Sequence, residues 1–275
     1  MIGLRSITLA VLLGTTAVHA GPEEDRQRFR EFYQNRLSSI PLEAHVDGAY
    51  AMNAGAREQW LEMEEFPPYE FELDEGQELF EASFADGESL ASCFPEGGQG
   101  VRQGYPYFDE EAGEVVTLEL AINRCREAHG EQPLPYLSGD LAKISAYMAY
   151  TSRGNVINVP TPQSEAALAA YESGKQFYYS RRGQLNFACS SCHMQNTGLN
   201  LRAEILSASL GHTSHWPVYR LKWEELGTLH KRFQECNSQV GAVPLEAQSE
   251  AYRNLEYFLT YMSNGLEING PGTRK

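Results

Sequence analysis

Basic residues are scarce in this chain. Lysine and arginine number 22 against 37 aspartates and glutamates, a formal net charge of −15 at pH 7. So acidic a surface argues against nucleic acid and anionic membranes as partners, and a small anion would need a local basic patch. Long apolar runs are missing too. The mostly apolar stretch Ile7 to Leu13 is too short to span a bilayer, which takes about 20 residues, and nothing later is long enough. With Arg5 before it and Ala17-Val18-His19-Ala20 after it, the stretch reads as an export signal cleaved after Ala20. Cysteine is sparse, with 5 residues, and only Cys189 and Cys192 stand three apart in a Cys-x-x-Cys pair. No second pair completes a zinc ribbon. Cys93, Cys125 and Cys236 remain, an odd number.

What is present centres on Cys189-Ser190-Ser191-Cys192-His193. Two thiols at this spacing can reach the two vinyl groups on one porphyrin edge, and the histidine that follows can turn onto the iron; this is the attachment signature of c-type haem. A redox dithiol would not need the histidine. One covalently bound haem c is therefore expected, with Cys189 and Cys192 as the tethers and His193 as an axial iron ligand. Covalent haem and an export signal together place the mature chain in a bacterial periplasm.

The rest of the chain repeats itself. Glu75-Gly76-Gln77-Glu78-Leu79-Phe80 parallels Ser173-Gly174-Lys175-Gln176-Phe177-Tyr178, and Ile144 to Tyr150 parallels Leu255 to Tyr261. Cys125 lies twenty-five residues before Tyr150, as Cys236 does before Tyr261. Cys93 falls near the position of Cys192, and Phe94 stands where His193 does. The expected architecture is mainly α: a signal peptide (1–20), a covering segment (21–70) without recognisable chemistry, a haem-less domain (71–155) and a haem-binding domain (156–275). Both domains resemble class I cytochrome c domains, whose first and last helices cross over the haem edge. If Cys125 lies over the lost haem position, it approaches Cys93, and a Cys93–Cys125 disulfide is expected to staple the emptied site.

The iron's other axial position is open to several residues. Met194 is too near His193 in sequence to reach the opposite face. Met262, His212, His215, His230 and Cys236 remain, and Cys236 lies in the half of the domain that ordinarily supplies this ligand. Arg232 stands four residues before Cys236, one helical turn. With Arg220 and Lys222 it forms the basic patch an anionic substrate would require: a guanidinium favours a neighbouring thiolate and offers a planar fork to an oxyanion. Equally, these cations could pair with Glu224, Glu225 and Glu235 as a solvated face.

The motif at 189–193, with Gly211-His212-Thr213, Pro217-Val218-Tyr219-Arg220, Leu226-Gly227-Thr228-Leu229-His230 and Arg232-Phe233-x-x-Cys236-Asn237, resembles the SoxA family, the larger subunits of the SoxAX cytochromes of bacterial thiosulfate oxidation. The resemblance covers the whole mature chain, and Phe94 marks it as similar to the single-haem subtype with a first-domain disulfide. It implies an L-cysteine S-thiosulfotransferase subunit that joins thiosulfate oxidatively to a cysteine of the carrier SoxYZ and passes two electrons through haem to the SoxX cytochrome. It also implies that Cys236 is both axial ligand and active residue, found in the family as a persulfide, and that Arg232 binds substrate. His212 and Lys231 are lesser candidates for holding the anion. A plain electron-transfer cytochrome, a tetrathionate-forming thiosulfate dehydrogenase and a non-catalytic scaffold subunit are the competing readings.

Overall fold

The computed structural model describes residues 21–202 and 204–275; the expected signal peptide lies outside them. Among the described residues eight α-helices carry the fold: α1 (Pro22–Arg36), α2 (Ala54–Glu64), α3 (Glu70–Glu81), α4 (Leu118–Ala128), α5 (Asp140–Tyr150), α6 (Glu165–Tyr179), α7 (Leu229–Gln239) and α8 (Glu250–Met262). The strands are short. β1 (Tyr107–Asp109) pairs antiparallel with β2 (Glu114–Val116), and β3 (Asn200–Leu201) with β4 (Glu204–Ile205). β5 (Val218–Arg220) pairs antiparallel with β6 (Glu225–Gly227) and parallel with the C-terminal β7 (Gly272–Arg274). Among the described residues no helix is long and apolar enough to cross a membrane.

The repeat in the sequence is a repeat in space. α3 crosses α5 and α6 crosses α8, and a glycine sits at each crossing. A Cβ on Gly76 would lie 2.2 Å from the Lys143 carbonyl oxygen, and one on Gly174 would lie 1.9 Å from that of Asn254. Only a residue without a side chain lets the backbones approach this closely. Beyond the crossings the correspondence is kept at a spacing of 111 residues, from Leu118 to Leu229 at the helix starts and from Tyr107 to Val218 at the strands. Helices α5 and α8 end alike, Ser152 Oγ donating to the Met148 carbonyl (2.7 Å) and Ser263 Oγ to that of Leu259 (2.9 Å).

The two halves fill their centres differently. In the first, Phe94 is buried among Phe80, Leu90, Leu118, Ile122 and Met148. Cys93 and Cys125 are joined by a disulfide, with 5.9 Å between their Cα atoms. Apolar packing and a covalent staple thus occupy the place that corresponds to the haem motif. Polar contacts bind the halves together: Thr228 N–H donates to the Leu137 carbonyl (3.0 Å), its hydroxyl to that of Tyr136 (2.8 Å), and Leu226 N–H to Glu72 (3.1 Å).

Residues 21–70 do more than cover. Glu23, Glu24 and Asp25 in the first turn of α1 suit the positive end of its helix dipole. Phe29 lies edge-on to Phe258 of α8 at 6.3 Å. Tyr33 is fully buried, and its hydroxyl donates to the His193 carbonyl (2.5 Å) and accepts from Ser209 N–H (3.1 Å). One phenol therefore ties α1 to the haem-motif turn and to the loop after it. Tyr33→Phe leaves both backbone groups buried without a partner, and denaturant unfolding should show a loss of about 1–3 kcal/mol.

Candidate functional site

Cys192 and His193 lie in a π-helical turn, Ser191–Gln195, that follows α6 and the turn at 182–187. His193 Nδ1 faces the Ser207 carbonyl at 2.9 Å. A carbonyl only accepts, so the proton is on Nδ1 and Nε2 keeps its lone pair. Hydrogen bonding of one ring nitrogen to a backbone carbonyl is the usual way in which a metal-ligating histidine is oriented. Burial lowers the His193 pKa to about 4, which keeps the ring neutral and able to ligate near neutral pH. Cys189 and Cys192 are both unbonded thiols. Burial pushes Cys189 up to about 12, and Cys192 also upward. Exposed apolar side chains flank the motif at Leu185, Phe187, Leu199 and Leu201. Two free thiols, a preset imidazole nitrogen and an uncovered apolar rim fit a covalently attached porphyrin.

Helix α7 brings the second group of residues to the same place. Its N-terminus is fixed by Thr228, and its apolar face (Leu229, Phe233) is buried in the second core. Cys236 is half-buried and stands close enough to Cys189 and Cys192 to raise the pKa of each. Arg232, one turn earlier, opposes the rise at Cys192 without reversing it. Burial works against the charge on Arg232, but its neighbours Cys236, Glu235 and Glu204 outweigh it and raise the guanidinium pKa. Arg232 is thus held as a permanent cation beside the Cys236 sulfur.

The basic patch is real but compensated. Glu235 accepts from Lys222 (2.5 Å), Arg232 Nη1 (2.5 Å) and Arg220 Nη1 (3.4 Å). Glu204 accepts from Arg220 Nη2 (2.6 Å) and lies 3.7 Å from Arg232 Nη2. Three cations therefore share two carboxylates, and Arg220 Nε also donates to the Lys275 carbonyl oxygen (2.7 Å). Sequence spacing pointed to Glu235 as a partner and gave no sign of Glu204.

The other candidates are committed elsewhere. His212 stands edge-on to His193 with ring centroids 4.4 Å apart, and its Nε2 meets Ser207 Oγ at 2.8 Å, so it buttresses the His193 imidazole. Lys231 pairs with Glu225 and lies over the Trp223 ring at 4.6 Å. Both nevertheless lie near Arg232: the guanidinium adds to the burial that lowers the His212 pKa, and Lys231 is its neighbour on α7. His230 Nδ1 accepts from Gln248 N–H (3.0 Å) and its Nε2 lies 3.2 Å from Glu256, in a buried cluster with Arg102. Met262 is fully buried in the core, Met194 packs against that core, and His215 is buried beside Trp216. Tyr33 and Ser207, which orient the His193 turn, carry no local sequence signal: Tyr33 acts from 160 residues away, and Ser207 through its backbone carbonyl, which any residue would supply.

Comparison with known proteins bears on this geometry. The family described as SoxA/TsdA, cytochrome c domain, matches residues 75–157, the half without the Cys-x-x-Cys-His motif. The L-cysteine S-thiosulfotransferase subunit SoxA of Allochromatium vinosum is 52% identical over 93% of this chain and 91% of its own length. The subunit of the same name from Chlorobaculum tepidum is 50% identical over 99% of this chain and 98% of its own. Among solved structures, SoxXA from P. pantotrophus superposes with a TM-score of 0.67 at 31% identity, covering 76% of this chain and 79% of that one.

Proposed function

This chain belongs to the SoxA family of L-cysteine S-thiosulfotransferase subunits, and we propose that the Arg232–Cys236 pair performs its sulfur chemistry, with SoxYZ as the carrier. The observation that carries this reading is a guanidinium held charged one helical turn from a free, half-buried thiol, beside the haem-motif cysteines. Arg232 binds a thiosulfate oxyanion and turns the outer sulfur of thiosulfate toward Cys236. The Cys236 thiolate and that sulfur form a disulfide bond and release two electrons, leaving a cysteine S-thiosulfonate. A carrier thiolate then attacks the outer sulfur, takes the thiosulfonate, and returns Cys236 as the thiolate leaving group. Arg232 favours that departure by stabilising the negative sulfur.

A single haem c would be held by Cys189, Cys192, His193 and Cys236, and would take up the two electrons of this oxidation one at a time, handing them on to a partner cytochrome. The family is a cytochrome c family; the count of one follows from the one attachment motif in the sequence and from Phe94 at the equivalent position of the first half. We take 71–155 and 156–275 as two cytochrome c-like domains, a reading supported by the paired helix crossings. The likeness to SoxXA supports a small SoxX-type cytochrome as partner and electron recipient. A periplasmic location follows from the export signal and the haem chemistry.

The test mixes the holoprotein with a SoxX-type cytochrome, a SoxYZ carrier and thiosulfate, and reads the carrier by mass. One thiosulfate added to the carrier cysteine is expected, and thiosulfate alone should give no tetrathionate. Tetrathionate without carrier would mark a thiosulfate dehydrogenase instead.

A further inference from the structure

The haem-bearing half contains a segment for which the other half has no counterpart. Cys93 precedes Leu118 by 25 residues, whereas Cys192 precedes Leu229 by 37, so the second half has twelve more. The β3–β4 hairpin lies within this excess, closed by Gly198 N–H to the Leu206 carbonyl (2.8 Å) and Leu206 N–H to that of Leu199 (2.9 Å). It carries Glu204, whose two carboxylate oxygens face two different guanidinium groups, Arg220 at 2.6 Å and Arg232 at 3.7 Å.

The two carboxylates of the basic patch are not equivalent. Glu235 is fixed on α7 one turn from Arg232, its side chain 17% exposed, with three cations around it. The side chain of Glu204 is 43% exposed and stands on a two-residue strand. Of the two carboxylates that pair with Arg232, Glu204 is the one that can leave without disturbing a helix. An oxyanion placed between Arg220 and Arg232 would make the same contacts that this carboxylate makes now.

We infer that Glu204 is the resident anion of the substrate site, holding the place between Arg220 and Arg232 that thiosulfate takes by displacing it. This rests on Arg232 being the substrate residue. The carboxylate keeps two neighbouring cations compensated while the site waits, and every incoming anion must compete with it. A dianion gains more from two guanidinium groups than a carboxylate does, so the site favours doubly charged oxyanions over monoanions such as formate or acetate.

Removing the competitor should tighten substrate binding. Calorimetric titration of the holoprotein with thiosulfate, carrier and electron acceptor withheld, should give a Kd roughly 3- to 10-fold lower for Glu204→Gln than for wild type. In turnover the change should fall on KM and not on kcat. Glu204→Asp keeps the charge and should bind near the wild-type Kd, which separates competition from a loosened hairpin. Wild-type or weaker affinity in Glu204→Gln overturns the inference. Arg232→Ala serves as the reference: if it binds thiosulfate as wild type does, the substrate site itself is misplaced; if it loses binding while Glu204→Gln is unchanged, only the role of Glu204 fails.

Discussion

Cys236→Ser should lose thiosulfotransferase turnover by a factor on the order of 10³ or more, with the protein still folded. A serine oxygen cannot form the sulfur–sulfur bond, nor leave as a thiolate when the carrier attacks, so no slower version of the same route remains. The cost to the fold is small, because Cys236 is half-buried on α7 and serine differs by one atom. Carrier mass in the assay above measures the loss, and covalent haem content measured alongside it separates lost chemistry from lost assembly. A plain electron-transfer cytochrome would behave differently: its Cys236→Ser variant would still pass electrons to a partner, with at most a changed absorption spectrum.

Arg232→Ala should lower kcat/KM for thiosulfate by roughly 10²-fold, the scale of removing one partner from a desolvated charge pair. Two effects combine. The substrate oxyanion loses its fork, and the Cys236 thiolate loses the cation that stabilises it. The site should otherwise stay in place, since Glu235 keeps Lys222 at 2.5 Å and Arg220 at 3.4 Å. Arg232→Lys should recover part of the loss, because a point charge supports the thiolate but cannot present two parallel donors. Turnover against thiosulfate concentration, with haem spectra as a control, distinguishes this from misfolding. Wild-type kcat/KM in Arg232→Ala would remove Arg232 from the substrate site.

The features legible in the sequence are those whose chemistry fixes residue identity at a fixed spacing. Cys189, Cys192 and His193 must be those residues in that order to tether and ligate a porphyrin. The twenty-five-residue interval that placed Cys125 and Cys236 in register appears in space as matching helices, and the expected Cys93–Cys125 bond is present. Arg232 and Cys236 were readable because one helix turn is enough to relate them. The unread features depend on contacts between distant segments. Tyr33 reaches His193 across 160 residues, and periodicity in α1 shows only that the phenol faces inward. Glu204 lies on strands too short to give an alternating pattern, and its partners come from β5 and α7. Lys231 is next to Arg232 in sequence, yet helix geometry turns adjacent residues about 100° apart, and Trp223 and Glu225 take it up. Net charge along a stretch cannot tell such internal pairing from a free basic patch.

The central claim is that thiosulfate sulfur is bonded to Cys236 before it reaches the carrier. Thiosulfate labelled at its outer sulfur, added to the wild-type protein and its oxidised electron-accepting partner with carrier withheld, tests this by the mass of the peptide containing Cys236. Label on Cys236, lost when SoxYZ is added and absent in Arg232→Ala, is the expected result. A carrier that becomes labelled while Cys236 never does would contradict it.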